Sequence, residues 1–281
     1  MRKFFTVILT CLSLYASSQT PSFITNDIEV YIKQGMKDWQ VPGLAIVIVK
    51  DGKTVLMKGY GVRDIQTNEP VDEHSKFFIA SNTKLFTGTA LAKLEVEKKL
   101  SLNDRITKYY PDYKLYESTS TGLVSIRDML SHRIGTKTFQ GDFTFWNTRL
   151  TRKEIMNKMR LLQPSKPFRQ DYGYCNSCFL TAGEIIPKVT GKSWEQYITD
   201  NILAPLEMTE SAALSNDASQ HSNMATPYTT SYTNILNKVP YDKWDNLAPA
   251  ASIVSTVSDL SHWLLFQLDS GRYNGKRIMP Y

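Results

Sequence analysis

The sequence predicts a mixed α/β (α+β) domain, and three observations carry that expectation. Residues 44–49 are an apolar, β-branched run, and after Asp51-Gly52 residues 54–60 form a second run. That is the pattern of an antiparallel hairpin closed by a two-residue turn. Helix starts then recur along the chain, each a Ser or Thr with an acidic residue or Gln three positions later: Ser125/Asp128, Thr151/Glu154, Ser193/Gln196 and Thr256/Asp259. Finally, 281 residues are enough for one large domain with an ample core.

Composition narrows the class. A hydrophobic share of 42% with 21% charged residues is that of a globular protein. The formal charge of +6 is spread without a Lys/Arg block, so nucleic acid is not implied. Residues 1–18 read as a signal peptide. Arg2 and Lys3 give a positive start, residues 4–15 are apolar but too short to span a bilayer, and Ala16-Ser17-Ser18 suits cleavage before Gln19. The expected localisation is therefore exported, periplasmic or secreted; an uncleaved anchor is the alternative. No later segment is apolar and long enough for a stable membrane span. Cys11 leaves with the leader, and Cys175 with Cys178 remains as a lone Cys-x-x-Cys. Without a second pair this is half a zinc site at most, and two small buried residues are the preferred reading over a disulfide.

Taken in order, residues 24–39 form an amphipathic helix with Ile28, Ile32, Met36 and Trp39 at helical spacing, broken by Val41-Pro42-Gly43. The hairpin follows, and residues 61–76 read as polar loop. Residues 85–94 form a long apolar helix, and 109–121 a tyrosine-rich loop. Ser125 with Asp128 opens a helix that His132 ends; a histidine there is stabilised by the helix terminus, so the structural reading is preferred to a catalytic base. Thr151 caps a helix closing near Pro164. Another apolar helix follows Asn176, and Pro187 should shorten or kink it. Residues 215–246 are turn-rich, a rim or lid over a cleft. Residues 248–253 are small, and Thr256 opens a last helix through Leu268.

The chemistry concentrates at Ser81-Asn82-Thr83-Lys84, where an apolar run meets the long helix. Residues three apart share a helix face, so the Ser81 hydroxyl and Lys84 amine point the same way. A serine hydroxyl needs a base beside it. Lysine serves only if burial and helix-terminal N–H groups bring its pKa down from about 10.4. The plainer reading is an N-cap serine and a solvated lysine. Against it, no other Ser-x-x-Lys occurs in the chain, and this lysine lies in an apolar stretch.

A second junction, Tyr172-Gly173-Tyr174-Cys175-Asn176, also passes from a glycine-bearing loop into an apolar helix. A tyrosine hydroxyl near a lysine can shuttle protons, and an asparagine amide can both donate and accept. The alternative is a core aromatic followed by an Asn cap. Tyr232-Thr233-Asn234 repeats the spacing, but in a polar loop with no helix after it, so Tyr174 is preferred.

Ser81-x-x-Lys84 followed by Tyr174-x-Asn176 in an exported chain resembles the serine β-lactamase and penicillin-binding-protein superfamily, in its class C-like branch with D-alanyl-D-alanine peptidases and esterases. Ser-Asp-Asn, which marks class A, is absent. Further likeness lies in the hairpin, in Ile126-Arg127-Asp128-Met129-Leu130-Ser131-His132, in Pro205-Leu206-Glu207-Met208 and in Ala248-Pro249-Ala250. The resemblance implies a β-lactamase/transpeptidase-like fold, an antiparallel sheet flanked by helices plus a mostly helical region. It implies Ser81 as acylated nucleophile, Lys84 as its base, Tyr174 as proton shuttle and Asn176 as substrate-binding amide, with no metal or organic cofactor. The substrate would be a small molecule or peptide: a β-lactam, a D-amino-acid peptide or an ester.

One departure stands out. The family's third motif, Lys-Thr-Gly or His-x-Gly, is absent, and so are the sheet strands expected from the C-terminal region. The expected organisation is thus a signal peptide, 1–18, and a β-lactamase-related domain, 19–281, incomplete at its C-terminus. The alternative function is a non-catalytic protein that binds cell-wall fragments or β-lactams. A conventional α/β-hydrolase is disfavoured because no Gly-x-Ser-x-Gly occurs. Zinc hydrolases are disfavoured by 4 scattered histidines without His-Glu-x-x-His. Oligomeric state is not legible in the sequence.

Overall fold

A computed structural model describes residues 20–231 and 233–279. The expected leader with Cys11, and Tyr232 of the second Tyr-x-Asn, lie outside the described residues.

The chain enters through a π-helical turn, Phe23–Asp27, and α1 (Ile28–Asp38). Ile28, Ile32 and Met36 pack on Tyr60, Leu44, Ile46 and Leu56, so α1 covers one face of the hairpin. Trp39 does not join them; the helix stops at Asp38 and the indole is 82% exposed. The hairpin forms as expected, β1 (Gly43–Lys50) against β2 (Lys53–Asp64), antiparallel with Lys50 opposite Lys53. Asp51 and Gly52 take φ 50° and 71°, the paired positive values that a two-residue hairpin turn needs. The polar stretch 61–76 is not all loop: β2 runs on to Asp64 and pairs with β3 (Glu69–Pro70), giving sheet order β1-β2-β3. Pro70 masks this strand in sequence, since proline is tolerated only at sheet edges.

A short strand, β4 (Phe77–Phe78), leads to the 3₁₀ turn Ala80–Asn82 and then α2 (Thr83–Val96). Phe86, Ala90, Leu91 and Leu94 of α2 have no exposed surface. A helix buried on most of its circumference is the centre of a core rather than its edge. Two helices not legible beforehand bound the tyrosine-rich segment, α3 (Ile106–Tyr109) ending at its start and α4 (Ser118–Leu123) closing it. The capping boxes at Ser125 and Thr151 are both formed, opening α5 (Ile126–Leu130) and α6 (Arg152–Lys158).

Next comes α7 (Asn176–Gly183), and the chain restarts as α8 (Ile185–Thr190) with Pro187 in its first turn, where a missing N–H costs little. Ser193 caps α9 (Trp194–Ile198). The 215–246 stretch is mostly loop, with one short ladder of β5 (Tyr228–Thr229) on β6 (Asn237–Lys238). After it, α10 (Ala248–Ala251), β7 (Val254–Ser255) and α11 (Val257–Leu268) fold back over α2, and Phe86 stacks on Trp263 at 4.1 Å. A two-residue hairpin, β8 (Arg272–Tyr273) with β9 (Lys276–Arg277), follows α11 as its own ladder. Among the described residues no helix is long and apolar enough to cross a membrane.

Candidate active site

Both ends of the turn that carries Ser81 are tied down. On the entry side β4 pairs with β7, Phe77 opposite Ser255, and the Ile79 N–H donates to the Ile253 carbonyl at 3.0 Å. On the exit side the Thr83 hydroxyl accepts from the Ile253 N–H at 3.1 Å. Between them Ala80 takes φ +46°, a conformation a residue with a Cβ adopts rarely, and Ser81 stands exposed on the surface. The Ser81 hydroxyl caps no helix: neither the 3₁₀ turn nor α2 has a side-chain cap bond.

Lys84 lies one turn further, 8% exposed. Its amine donates to Ser81 Oγ at 3.1 Å, to Asn176 Oδ1 at 2.8 Å and to the Ala250 carbonyl at 2.9 Å. The last bond exists because α10 presents only small residues to α2. The Thr87 hydroxyl, which accepts from Trp194 Nε1, donates to the Pro249 carbonyl at 2.7 Å and holds α10 there. The rings of Tyr174 and Phe179 flank the amine at 4.8 and 5.6 Å. Burial brings the Lys84 pKa down to about 8, with the negative charge of Asp142 opposing that shift. The fall from 10.5 corresponds to roughly 3 kcal/mol of lost preference for the ammonium.

The Tyr174 hydroxyl donates to Ser81 Oγ at 2.6 Å, so the three side chains meet at one oxygen. Burial raises the Tyr174 pKa, keeping the phenol protonated and a donor. Asn176, the first residue of α7, gives its carbonyl to Lys84 and donates from its amide nitrogen to Asp142 Oδ2 at 3.1 Å. All four residues singled out in the sequence therefore share one site.

The Tyr174 junction is held by distant segments. His132 is buried with φ +57°, and its carbonyl accepts from the Gly173 N–H at 2.9 Å. Its Nδ1 accepts from the Cys175 N–H at 3.0 Å, and its ring lies 4.6 Å from that of Tyr174. Burial first, then the Lys84 charge, lowers its pKa to about 4, so it is a neutral support touching neither Ser81 nor Lys84 by hydrogen bond. Gly173 has no alternative, since a Cβ there would lie 1.8 Å from the Thr136 carbonyl oxygen. The buried Asp128 carboxylate, paired with Arg169 through bonds of 2.8 and 2.7 Å, ties α5 to the strand of chain entering the junction. Cys175 and Cys178 are free, buried thiols.

Asp142 is the site residue that sequence reasoning missed. It follows Gly141, whose φ of +95° turns the chain into a short 3₁₀ helix, and only that glycine hints at a shaped loop. The same loop exposes Phe139, Phe143 and Trp146, and the Phe139 ring is 5.4 Å from Tyr174. Beside the turn that carries Ser81, a cleft of about 340 Å³ is lined by Leu44, Phe78, Ile79, Asn82 and Thr256 among others. No cluster of metal-binding side chains occurs among the described residues.

A profile of the Beta-lactamase family matches residues 28–279. Protein flp of Staphylococcus aureus (strain MRSA252) is 33% identical over 256 residues, covering 88% of this chain and 50% of the relative. The unguisins hydrolase ungD' of Aspergillus campestris is 28% identical, covering 85% and 46%. The chain spans about half the length of these relatives. Among solved structures, an octameric penicillin-binding protein homologue from Pyrococcus abyssi superposes with a TM-score of 0.76 at 28% identity, over 88% of this chain and 57% of that one. FmtA from Staphylococcus aureus does so with 0.71 at 21% identity, over 88% and 67%, a likeness of fold.

Proposed function

The chain belongs to the β-lactamase family, and from that premise we propose that it is an exported serine hydrolase of class C-like type, working through an acyl-enzyme on Ser81. One observation carries this reading: the three bonds of the Lys84 amine. Two of its partners, the Asn176 and Ala250 oxygens, can only accept. Once the ammonium has lost a proton, its two fixed N–H bonds leave the lone pair facing Ser81 Oγ, the third neighbour. That is the arrangement of a general base, and a pKa of about 8 keeps the free amine within reach at ordinary pH.

In the proposed sequence Ser81 Oγ attacks a carbonyl carbon while Lys84 takes the hydroxyl proton. As the bond to the leaving group breaks, Tyr174 gives that group its phenolic proton and is reprotonated from the Lys84 ammonium. Water then releases the acyl group, passing a proton back through the same pair. The free N–H of Asn176 orients the substrate's carbonyl. Exposed Phe139, whose ring lies against Tyr174, and exposed Phe143 and Trp146 on the same loop as Asp142 favour an apolar or aromatic acyl group on a β-lactam, D-amino-acid peptide or ester.

The test is covalent. A fluorophosphonate or fluorescent penicillin should add one adduct to Ser81, read by intact mass and peptide mapping, and Ser81→Ala should abolish it. Labelling that survives Ser81→Ala would overturn the assignment. Reversible binding with no adduct, unaffected by Lys84→Ala, would instead support a non-catalytic binder.

A further inference from the structure

Resting on the serine-hydrolase reading, we propose that Asp142 is a positioning residue: its carboxylate fixes the Asn176 amide with oxygen towards Lys84 and leaves one N–H for the substrate. The argument is an inventory of donors and acceptors. Asn176 lies between the Lys84 amine, 2.8 Å from Oδ1, and the Asp142 carboxylate, 3.1 Å from Nδ2. An ammonium can only donate and a carboxylate can only accept, so a flipped amide would face a like partner on both sides. With one N–H spent on Asp142, the second is what the amide can offer a substrate carbonyl. Asp142 Oδ1 is buried without a hydrogen-bond partner among the described residues, so the carboxylate is turned inward rather than solvated. Such a group is retained at a cost of its own.

The charge of Asp142 has a second effect. The titratable groups facing Lys84 are Asp142, Tyr174, Cys175 and His132. Tyr174 is a protonated donor and His132 a neutral ring. Asp142 therefore supplies the anion that holds the proton on Lys84, against burial, which drives it off. Burial raises the Asp142 pKa, while the Asn176 N–H and the Lys84 cation resist that rise. One side chain thus orients the substrate-binding amide and restrains the base.

The experiment follows the rate of fluorophosphonate labelling of Ser81 against pH in wild type, Asp142→Asn and Asp142→Ala, with thermal midpoints measured alongside. Asp142→Asn keeps an acceptor for Asn176 but removes the charge. Its acidic limb should move to lower pH by about one unit, with a plateau rate that falls less than in Asp142→Ala. Asp142→Ala should show the same shift and a plateau lower by about tenfold, because Asn176 is free to turn. Should Asp142→Ala fail to fold, the Asp142→Asn limb alone decides. A labelled wild type with unchanged limbs in the folded variants overturns the role of Asp142 while leaving the function intact. A wild type that is never labelled overturns the function and this role with it.

Discussion

The two halves of the site are built by different means. Ser81 and Lys84 are neighbours one helical turn apart, backed by the fully buried face of α2 and by the small residues of α10. Tyr174 and Asn176 stand on a junction whose position is set by His132, Thr138, Phe139 and the Asp128–Arg169 pair, all remote in sequence. The first half is held by the packed face of α2 together with main-chain bonds to the segment 249–255, the second by polar struts from distant loops. Packing tolerates small losses because many contacts share the load, whereas a strut is a single bond whose removal leaves a buried group unpaired.

The largest expected effect breaks the chemistry of the first half. Lys84→Ala should lower kcat/KM, or the labelling rate, by about 10³-fold or more while the protein still melts cooperatively. Asp128→Ala attacks the second half instead. It removes a buried carboxylate that the half-exposed Arg169 and the Ser125 capping box both use, so stability should fall by about 2 kcal/mol in a urea titration. Activity should fall with it as the Tyr174 junction loosens. Tyr174→Phe sharpens the contrast: the ring still rests against His132, so the melting temperature should hold while the rate drops about 100-fold.

Two pH signatures separate the halves. With Lys84 at about 8, labelling should rise through that pH and level off above it. His132 speaks for stability. Its folded-state value of about 4 lies below the ordinary 6.5, so its contribution is complete above pH 6.5 and is lost as the pH falls towards 4. Urea midpoints between pH 7 and 4 should decline in wild type and decline less in a folded His132→Gln variant. The smallest effect belongs to Ala80→Gly. Relief of its positive φ should be offset by the chain entropy of glycine, leaving stability within about 1 kcal/mol. Any rate loss would then report that Ser81 is less well held.

The same division explains what the sequence reveals. Motifs closed within one turn are legible: Ser81 with Lys84, and the caps of Ser125, Thr151 and Thr256, all of which form. The hairpin is legible because Asp51-Gly52 admits few other conformations. Tyr174 and Asn176 are marked by their junction and by the family resemblance, but no local signal says which loop they face. Asp142 is invisible for that reason, since its partner lies in α7. Helix α4 escapes because its Ser118-Thr119-Ser120-Thr121 start has poor intrinsic helix propensity. Trp39 follows the apolar spacing of α1, yet the helix ends before bringing it inward.

The Ala250 carbonyl gives this site an unusual kind of permanence. It belongs to the main chain, so no replacement of its own side chain can delete it; only a change in the path of the backbone could move it. Variation across relatives should therefore retune the lysine through the groups that surround it, while the geometry of that contact passes unaltered from one sequence to the next.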